Sequence, residues 1–189
     1  MFVKDAAGKV TSLQQIGDVN PDFNLAFNNA IQWKNISLNA LVNWVQGGNI
    51  YNLTRQWPFN EERDPVFDQR GKPQAAKKPV PYYQVFYNGI NANDYFVEDG
   101  SYVRLRELAA SIQMPKSWTK GMHLGPLETA RLGLVGRNLW TSTKYTGYDP
   151  DVTGAGGVAG GGSKPFAYRV DNFSYPAART FTIMLELGY

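Results

Sequence analysis

Arg179-Thr180-Phe181-Thr182-Ile183-Met184-Leu185-Glu186-Leu187-Gly188-Tyr189 is the stretch whose reading decides the fold. Phe181, Ile183, Leu185, Leu187 and Tyr189 recur at every second position, and Thr182, Met184, Glu186 and Gly188 fill the places between. Successive side chains of a β-strand point to opposite faces, so a period of two gives one apolar row and one mixed row. At about 3.3 Å per residue such a strand extends about 36 Å. Tilted by about 45°, it crosses the roughly 25 Å apolar band of an outer-membrane barrel, and it finishes on an aromatic, the residue type that edges such a band. Strands of soluble sheets are mostly about five or six residues long. An edge strand of a soluble β-protein is the competing interpretation of this stretch.

Working outward, Phe23 to Trp33 alternates in the same way. Phe23, Leu25, Phe27, Ile31 and Trp33 share a face with Asn29, against Asn24, Ala26, Asn28, Ala30 and Gln32. After Lys34-Asn35, a tight connection, Ile36, Leu38, Ala40, Val42 and Trp44 continue the pattern against Ser37, Asn39, Leu41, Asn43 and Val45. Asn, Gln and Ser opposite the apolar row fit a polar lumen better than a solvated sheet surface, where more Lys, Glu and Thr are expected. A third strand covers about 101–114, with Leu108, Ala110, Ile112 and Met114 in register; Arg104 and Arg106 break that row, so a bulge is expected near Glu107. A fourth covers about 127–140, weakened by Gly133 and Gly136, and the terminal strand covers 179–189.

The connections are short (34–35), long (46–93), medium (115–126) and long (141–178). Alternate connections of an antiparallel meander lie at the same end, so both long ones leave one side. Outer-membrane barrels have this asymmetry, with short periplasmic turns and long extracellular loops. The expectation is an all-β chain of five long antiparallel strands in meander order, part of a large transmembrane barrel, with residues 46–93 and 141–178 as long irregular loops.

Composition agrees. Aromatics make up 14% and charged residues only 19%, a mix that suits strands and polar loops better than helices. The net charge of +3 comes from scattered Lys and Arg, so no basic stripe points to nucleic acid. The absence of cysteine excludes disulfides and thiolate metal sites. No apolar run is long enough for a transmembrane helix, and Met1-Phe2-Val3-Lys4-Asp5 lacks the basic start and apolar core of a signal peptide.

Chemistry-bearing motifs are weak. Gly154-x-Gly156-x-x-Ala159 fits a dinucleotide fingerprint only formally, because Pro165 follows where a helix is required. His123 is the single histidine, which leaves no triad or zinc set to build. Asp149-Pro150-Asp151 and Glu98-Asp99 lack the spacing of a calcium loop and read as loop-capping carboxylates. Glu61, Glu62, Asp64 and Asp68 read as a solvated charged loop, since nothing fixes the separation that glycosidase chemistry needs. No cofactor and no bond chemistry are expected. Tyr82, Tyr83, Phe86, Tyr87, Tyr145 and Tyr148 lie in the long loops and are candidates for ligand or partner contact, or for packing the loops together. Trp33, Trp44, Trp140 and Tyr189 stand near strand ends as candidate membrane-interface residues, with Phe181, Ile183, Leu185 and Leu187 facing lipid.

Several ordered blocks carry a resemblance. Asp94-Tyr95-Phe96-Val97-Glu98-Asp99-Gly100-Ser101-Tyr102-Val103-Arg104-Leu105-Arg106-Glu107-Leu108 resembles a signature of SusC/RagA-type TonB-linked outer-membrane proteins. The blocks 16–23, 46–52, 136–141, 145–151 and 174–181 match in the same order. The resemblance implies a C-terminal piece of a barrel of about 22 strands, in the outer membrane of a Gram-negative bacterium, that imports large nutrients such as glycans or peptides. It implies a SusD-like surface lipoprotein over the mouth, a TonB complex acting through N-terminal regions that have no counterpart here, and barrel-assembly machinery reading the last strand. Family members are several times longer, so the chain is expected to be a fragment without plug, TonB box or signal peptide. The alternative is a soluble β-sandwich that binds carbohydrate through aromatic loops. The two differ in whether the apolar face is covered.

Overall fold

The computed structural model describes residues 7–8, 15–79, 81–83, 92–115, 129–152 and 169–188. In chain order the elements are β1 Phe23–Trp33, β2 Ile36–Gln46, β3 Asn49–Asn52, helix α1 Leu53–Asn60, β4 Val97–Asp99, β5 Tyr102–Gln113, β6 Thr129–Thr143, β7 Val170–Asp171 and β8 Thr180–Gly188. Three single-turn 3-10 segments lie at Pro65–Phe67, Gln74–Ala76 and Asp94–Phe96. The chain divides into two compact units: residues 1–21, 47–100 and 145–175 in one, residues 22–46, 101–144 and 176–189 in the other.

The second unit is a five-stranded antiparallel sheet in the order β1-β2-β5-β6-β8. Every neighbour in the sheet is also the next long strand in sequence, so this is the expected meander. The β1–β2 pairing runs unbroken from Phe23 opposite Gln46 to Trp33 opposite Ile36, closed by Lys34 in a left-handed conformation at φ 52°. The register of β5 against β2 shifts between Leu41 and Val42, and that of β5 against β6 shifts between Leu105 and Glu107. Arg106 is the extra residue of this bulge. A one-residue slip would invert every side chain beyond it. The bulge absorbs the slip, so Val103 and Leu105 before it share a face with Leu108, Ala110 and Ile112 after it. Arg104, Arg106 and Glu107 go to the opposite face.

The ends Phe23, Gln46, Tyr102 and Thr143 come together at one edge of this meander. Thr180 begins β8 toward the same strand ends, opposite Arg137 and six residues short of Thr143 on β6.

The first unit is not irregular, as the sequence reading has it over 46–93 and 141–178. It contains a small sheet in the order β4-β3-β7, with β3 antiparallel to β4 and parallel to β7. Helix α1 follows β3 directly; the side chain of Asn52 caps it by accepting from the Arg55 backbone N–H at 2.8 Å. Pro58 lies inside this eight-residue helix. Proline removes a backbone donor and is a breaker in sequence, which hides the helix. Tertiary packing holds it instead: Phe59 is buried among Tyr83 and Phe96, with Tyr51, Val66, Phe67, Tyr82 and Tyr95 against them. Ile50, Tyr145 and Val152 form a second small core.

Candidate functional site

The five-stranded sheet brings its apolar rows onto one face. Phe181, Ile183 and Leu185 of β8 stand opposite Gly136, Leu134 and Leu132 of β6. Leu134 and Leu132 stand opposite Ala110 and Ile112 of β5, which pair in turn with Leu38 and Ile36 of β2, and these with Ile31 and Trp33 of β1. The residues of this face are exposed: Phe181 is 71%, Ile183 76% and Leu185 62% accessible, and Leu187, Leu134, Leu132, Ile112, Leu108, Leu38, Phe27, Leu25 and Ile31 are exposed as well. A water-soluble sheet buries such a row against a second layer. Contiguous exposed apolar patches beyond a few hundred Å² mark contact with protein or membrane. The face runs the length of the sheet, and β8 alone spans about 30 Å at 3.3 Å per residue.

Aromatics stand toward both ends of the face. Trp33 is exposed at the β1–β2 turn, where Lys34 Nζ lies 5.0 Å from its ring centroid. Trp44 packs edge-on against Phe23 at 5.0 Å, and Trp140, paired with Leu105, lies close to the same level on β6. Tyr189 lies outside the described residues.

The opposite face is polar. Asn24, Asn28 and Gln32 of β1 share it with Asn43, Asn39 and Ser37 of β2 and with Arg104, Arg106 and Ser111 of β5. Its charges pair across strands: Arg137 Nε donates to Glu107 at 2.8 Å, and Arg131 lies 3.5 Å from Glu186. Arg104 is buried, stacks on Tyr102 at 5.4 Å, and donates to Thr141 Oγ1 at 3.1 Å. Tyr102 in turn accepts from Arg106 at 3.3 Å. A polar face behind an apolar one on every strand is the alternation of a membrane barrel wall.

The smaller unit sorts the loop aromatics. Tyr83 is buried in the Phe59 core, and Tyr82 packs edge-on against it at 5.4 Å while Lys78 lies 5.2 Å from the Tyr82 ring. Tyr145 is buried, and its hydroxyl donates to Asp171 Oδ2 at 2.6 Å. Burial, and then the adjoining Asp171 carboxylate, hold the Tyr145 phenol well above its ordinary range. These three rings pack the unit together. Tyr148 is exposed; Phe86 and Tyr87 lie outside the described residues. Three exposed rings escaped sequence reading: Trp57, Phe173 and Tyr175. The only sequence signal for the last two was an aromatic-rich, uncharged run at 172–178.

The loop carboxylates are structural. Glu98 accepts from Asn52 Nδ2 at 2.9 Å and from the Thr146 backbone N–H and hydroxyl, both at 2.8 Å, with Arg55 3.7 Å away. Asp64 caps Val66 and accepts from Arg55 Nε at 3.3 Å; Asp149 caps the Asp151 N–H at 2.9 Å. Asp68, on the surface, is hydrogen-bonded by the Arg70 side chain, which lowers its pKa to about 2. Among the described residues no three His, Asp or Glu side chains converge as metal ligands. His123 and the glycine run at 154–162 lie outside the described residues.

Comparisons with known proteins agree with this geometry. The TonB-dependent receptor P3 of Formosa agariphila is 32% identical over 205 residues, a match that covers 98% of this chain and 18% of the receptor. The TonB-dependent receptor P26 of the same organism is 27% identical over 179 residues, covering 92% of this chain and 18% of its own length. A chain of the RagAB peptide importer in its open-open state superposes with a TM-score of 0.65 at 22% identity, over 100% of this chain and 20% of that one. The chain is related to TonB-dependent receptors. The importer in its closed-closed state gives a TM-score of 0.62 at 23% identity, over 98% of this chain and 20% of its own. No family model matches. The chain thus spans under a fifth of the length of the curated receptors it matches. Those relatives are receptors, and the solved neighbours are importers.

Proposed function

We propose that this chain is a stretch of barrel wall, with its outer loops, in a TonB-dependent importer of large nutrients in a Gram-negative outer membrane. The observation that carries the reading is the exposed apolar face from Leu25 to Leu187 backed by an Asn-, Arg- and Thr-bearing face. In this reading Phe181, Ile183, Leu185 and Leu187 face lipid, Trp33, Trp44, Trp140 and Tyr189 lie at the membrane interfaces, and the polar face lines the lumen. Residues 47–100 and 145–175 are read as extracellular loops, because the strands they connect end toward the same side. The open edges of β1 and β8 require further strands, since unpaired backbone groups cost several kcal/mol each in lipid; a barrel of about 22 strands supplies them. A SusD-like surface lipoprotein covers the mouth, the TonB complex acts through other regions of the receptor, and the assembly machinery reads β8. The substrate is a glycan or a peptide.

The chain contains no cysteine, so single labels can be introduced without removing native thiols from it. Spin labels at Ile183 and Leu185 in the membrane-embedded receptor are expected to collide with lipid-soluble oxygen. Labels at Thr182 and Glu186 are expected to collide with a water-soluble nickel chelate. Equal chelate accessibility at Ile183 and Thr182 would remove the membrane reading. The β-sandwich alternative requires Phe181, Ile183 and Leu185 to be covered, and their exposure speaks against it.

A further inference from the structure

The turn between β1 and β2 places Lys34 in the left-handed region at φ 52°. A residue with a Cβ enters that region at a cost, and asparagine is among those that accept it most readily. Asn35 is the next residue, yet lysine occupies the strained position. The turn is also tied down from outside: the Gln113 N–H at the end of β5 donates to the Asn35 carbonyl at 2.8 Å. Backbone strain held in place by its surroundings points to function. Here it fixes where an ammonium sits. Lys34 is exposed, and its Nζ lies 5.0 Å from the centroid of the Trp33 ring, itself 64% exposed at the end of the apolar face.

Beside this pair the apolar face is hollowed. Trp33 stands opposite Ile36, Ile36 opposite Ile112, and Ile112 opposite Leu132. In the next row Ala110 lies between Leu38 and Leu134. Its single methyl is the floor of a hollow of about 230 Å³ lined by Ile36, Ile112, Leu132 and Leu134. Neighbouring strands lie about 4.8 Å apart, so the hollow begins one strand from Trp33 and its middle lies about 10 Å away. The described strand residues of this face carry no charge. Arg131, level with Gln113, goes to the polar face and lies 3.5 Å from Glu186. Among the described residues, Lys34 is therefore the cation at this end of the apolar face.

We propose that Lys34, Trp33 and this hollow form a binding site for one anionic glycerophospholipid of the inner leaflet. The inference rests on the membrane reading above and names the lipid that the wall holds. The Lys34 ammonium and the Trp33 indole N–H meet the phosphodiester, and the hollow takes part of an acyl chain. The β1–β2 turn lies at the strand ends away from those that lead into residues 47–100, which in that reading is the periplasmic level. An interfacial Trp beside a Lys that runs its stem along apolar surface suits that level. A zwitterionic headgroup such as phosphatidylethanolamine brings its own ammonium, which competes with Lys34 for the phosphate. Phosphatidylglycerol brings none. One lysine near anionic lipid gives about a fivefold preference.

The test uses the full-length receptor in phosphatidylcholine nanodiscs that hold a trace of phosphatidylglycerol or of phosphatidylethanolamine, each with a diazirine on one acyl chain. Peptide mass spectrometry after illumination reads which residues are labelled. The phosphatidylglycerol probe is expected to label the hollow about fivefold more than the phosphatidylethanolamine probe. Lys34→Asn should abolish the preference and melt at the same temperature or higher, because asparagine accepts a positive φ more readily; Lys34→Arg should keep the preference. Inorganic phosphate in the buffer should leave the labelling unchanged. Equal labelling by the two probes, a preference that survives Lys34→Asn or vanishes in Lys34→Arg, or its loss to inorganic phosphate overturns the site. Ile183 and Leu185 separate this outcome from failure of the membrane reading. If both probes label them and the hollow shows no preference, the lipid site alone is removed; if neither probe labels them, the membrane reading falls with it.

Discussion

The two units of this chain solve the burial of apolar side chains in opposite ways. The smaller unit behaves like a water-soluble protein: Phe59, Phe96 and Ile50 are inside, and buried polar groups such as Asp171 and Asn52 are met by hydrogen bonds. The sheet places Phe181, Ile183 and Leu185 outside and leaves its polar residues on the other face. Both follow the same rule, that apolar surface leaves water. They differ in what takes it up: neighbouring side chains in one, a medium outside the chain in the other. An exposed Leu or Ile is ordinary on any protein; a whole sheet face of them is a solvent preference.

Paired phenylalanines give the sharpest contrast. Phe59→Ala should cost about 3–5 kcal/mol in the smaller unit, the usual loss for a buried ring, read as hydrogen exchange over α1 and β3. Phe181→Ala should leave those amides untouched. If both substitutions have the same effect, the division into a packed unit and a sheet with an uncovered apolar face is wrong.

Next comes polarity across one strand. Ile183→Arg puts a charge on the apolar face and should cost about 2–4 kcal/mol of membrane stability if it lies near the midplane. Its neighbour Thr182→Arg points to the polar face and should change stability little. Reversible urea unfolding in lipid vesicles reads both; similar losses would place lipid on both faces or on neither.

Helix capping in the smaller unit should show a lesser effect. Asn52→Ala removes the cap on Arg55 N–H and the contacts to Glu98 and Thr146. The lost cap should cost about 1 kcal/mol, seen as faster exchange in α1 without change in the sheet.

The smallest effect belongs to the exposed Asp68–Arg70 pair, 2.7 Å apart. The folded pKa of Asp68 is lowered, so its contribution is present above the ordinary carboxylate range and lost as pH falls through about 2. A carboxyl titration by NMR should show that midpoint, and Arg70→Ala should return it toward the ordinary aspartate value without unfolding either unit.

The long strands were legible because a period of two over nine or more residues leaves few alternatives. The bulge was legible too: Arg104 and Arg106 interrupt an apolar row, and the chain shifts register at Arg106 to keep both faces pure. Helix α1 was not, because Pro58 reads as a breaker and the packing of Phe59 against Tyr83 and Phe96 outweighs it. The loop aromatics were identifiable as a class but not as individuals. Tyr83 and Tyr145 became core while Trp57, Phe173 and Tyr175 became surface, a sorting made by contacts across up to 119 residues.

Sequence alone determined the five long strands, their faces and their order, since alternation and connection length are local properties of the backbone. Tertiary structure decided that the apolar face stays uncovered and that one buried carboxylate, Asp171, joins Thr54, Tyr145 and Ser174. Both depend on residues far apart in the chain meeting or failing to meet, and no local period records that.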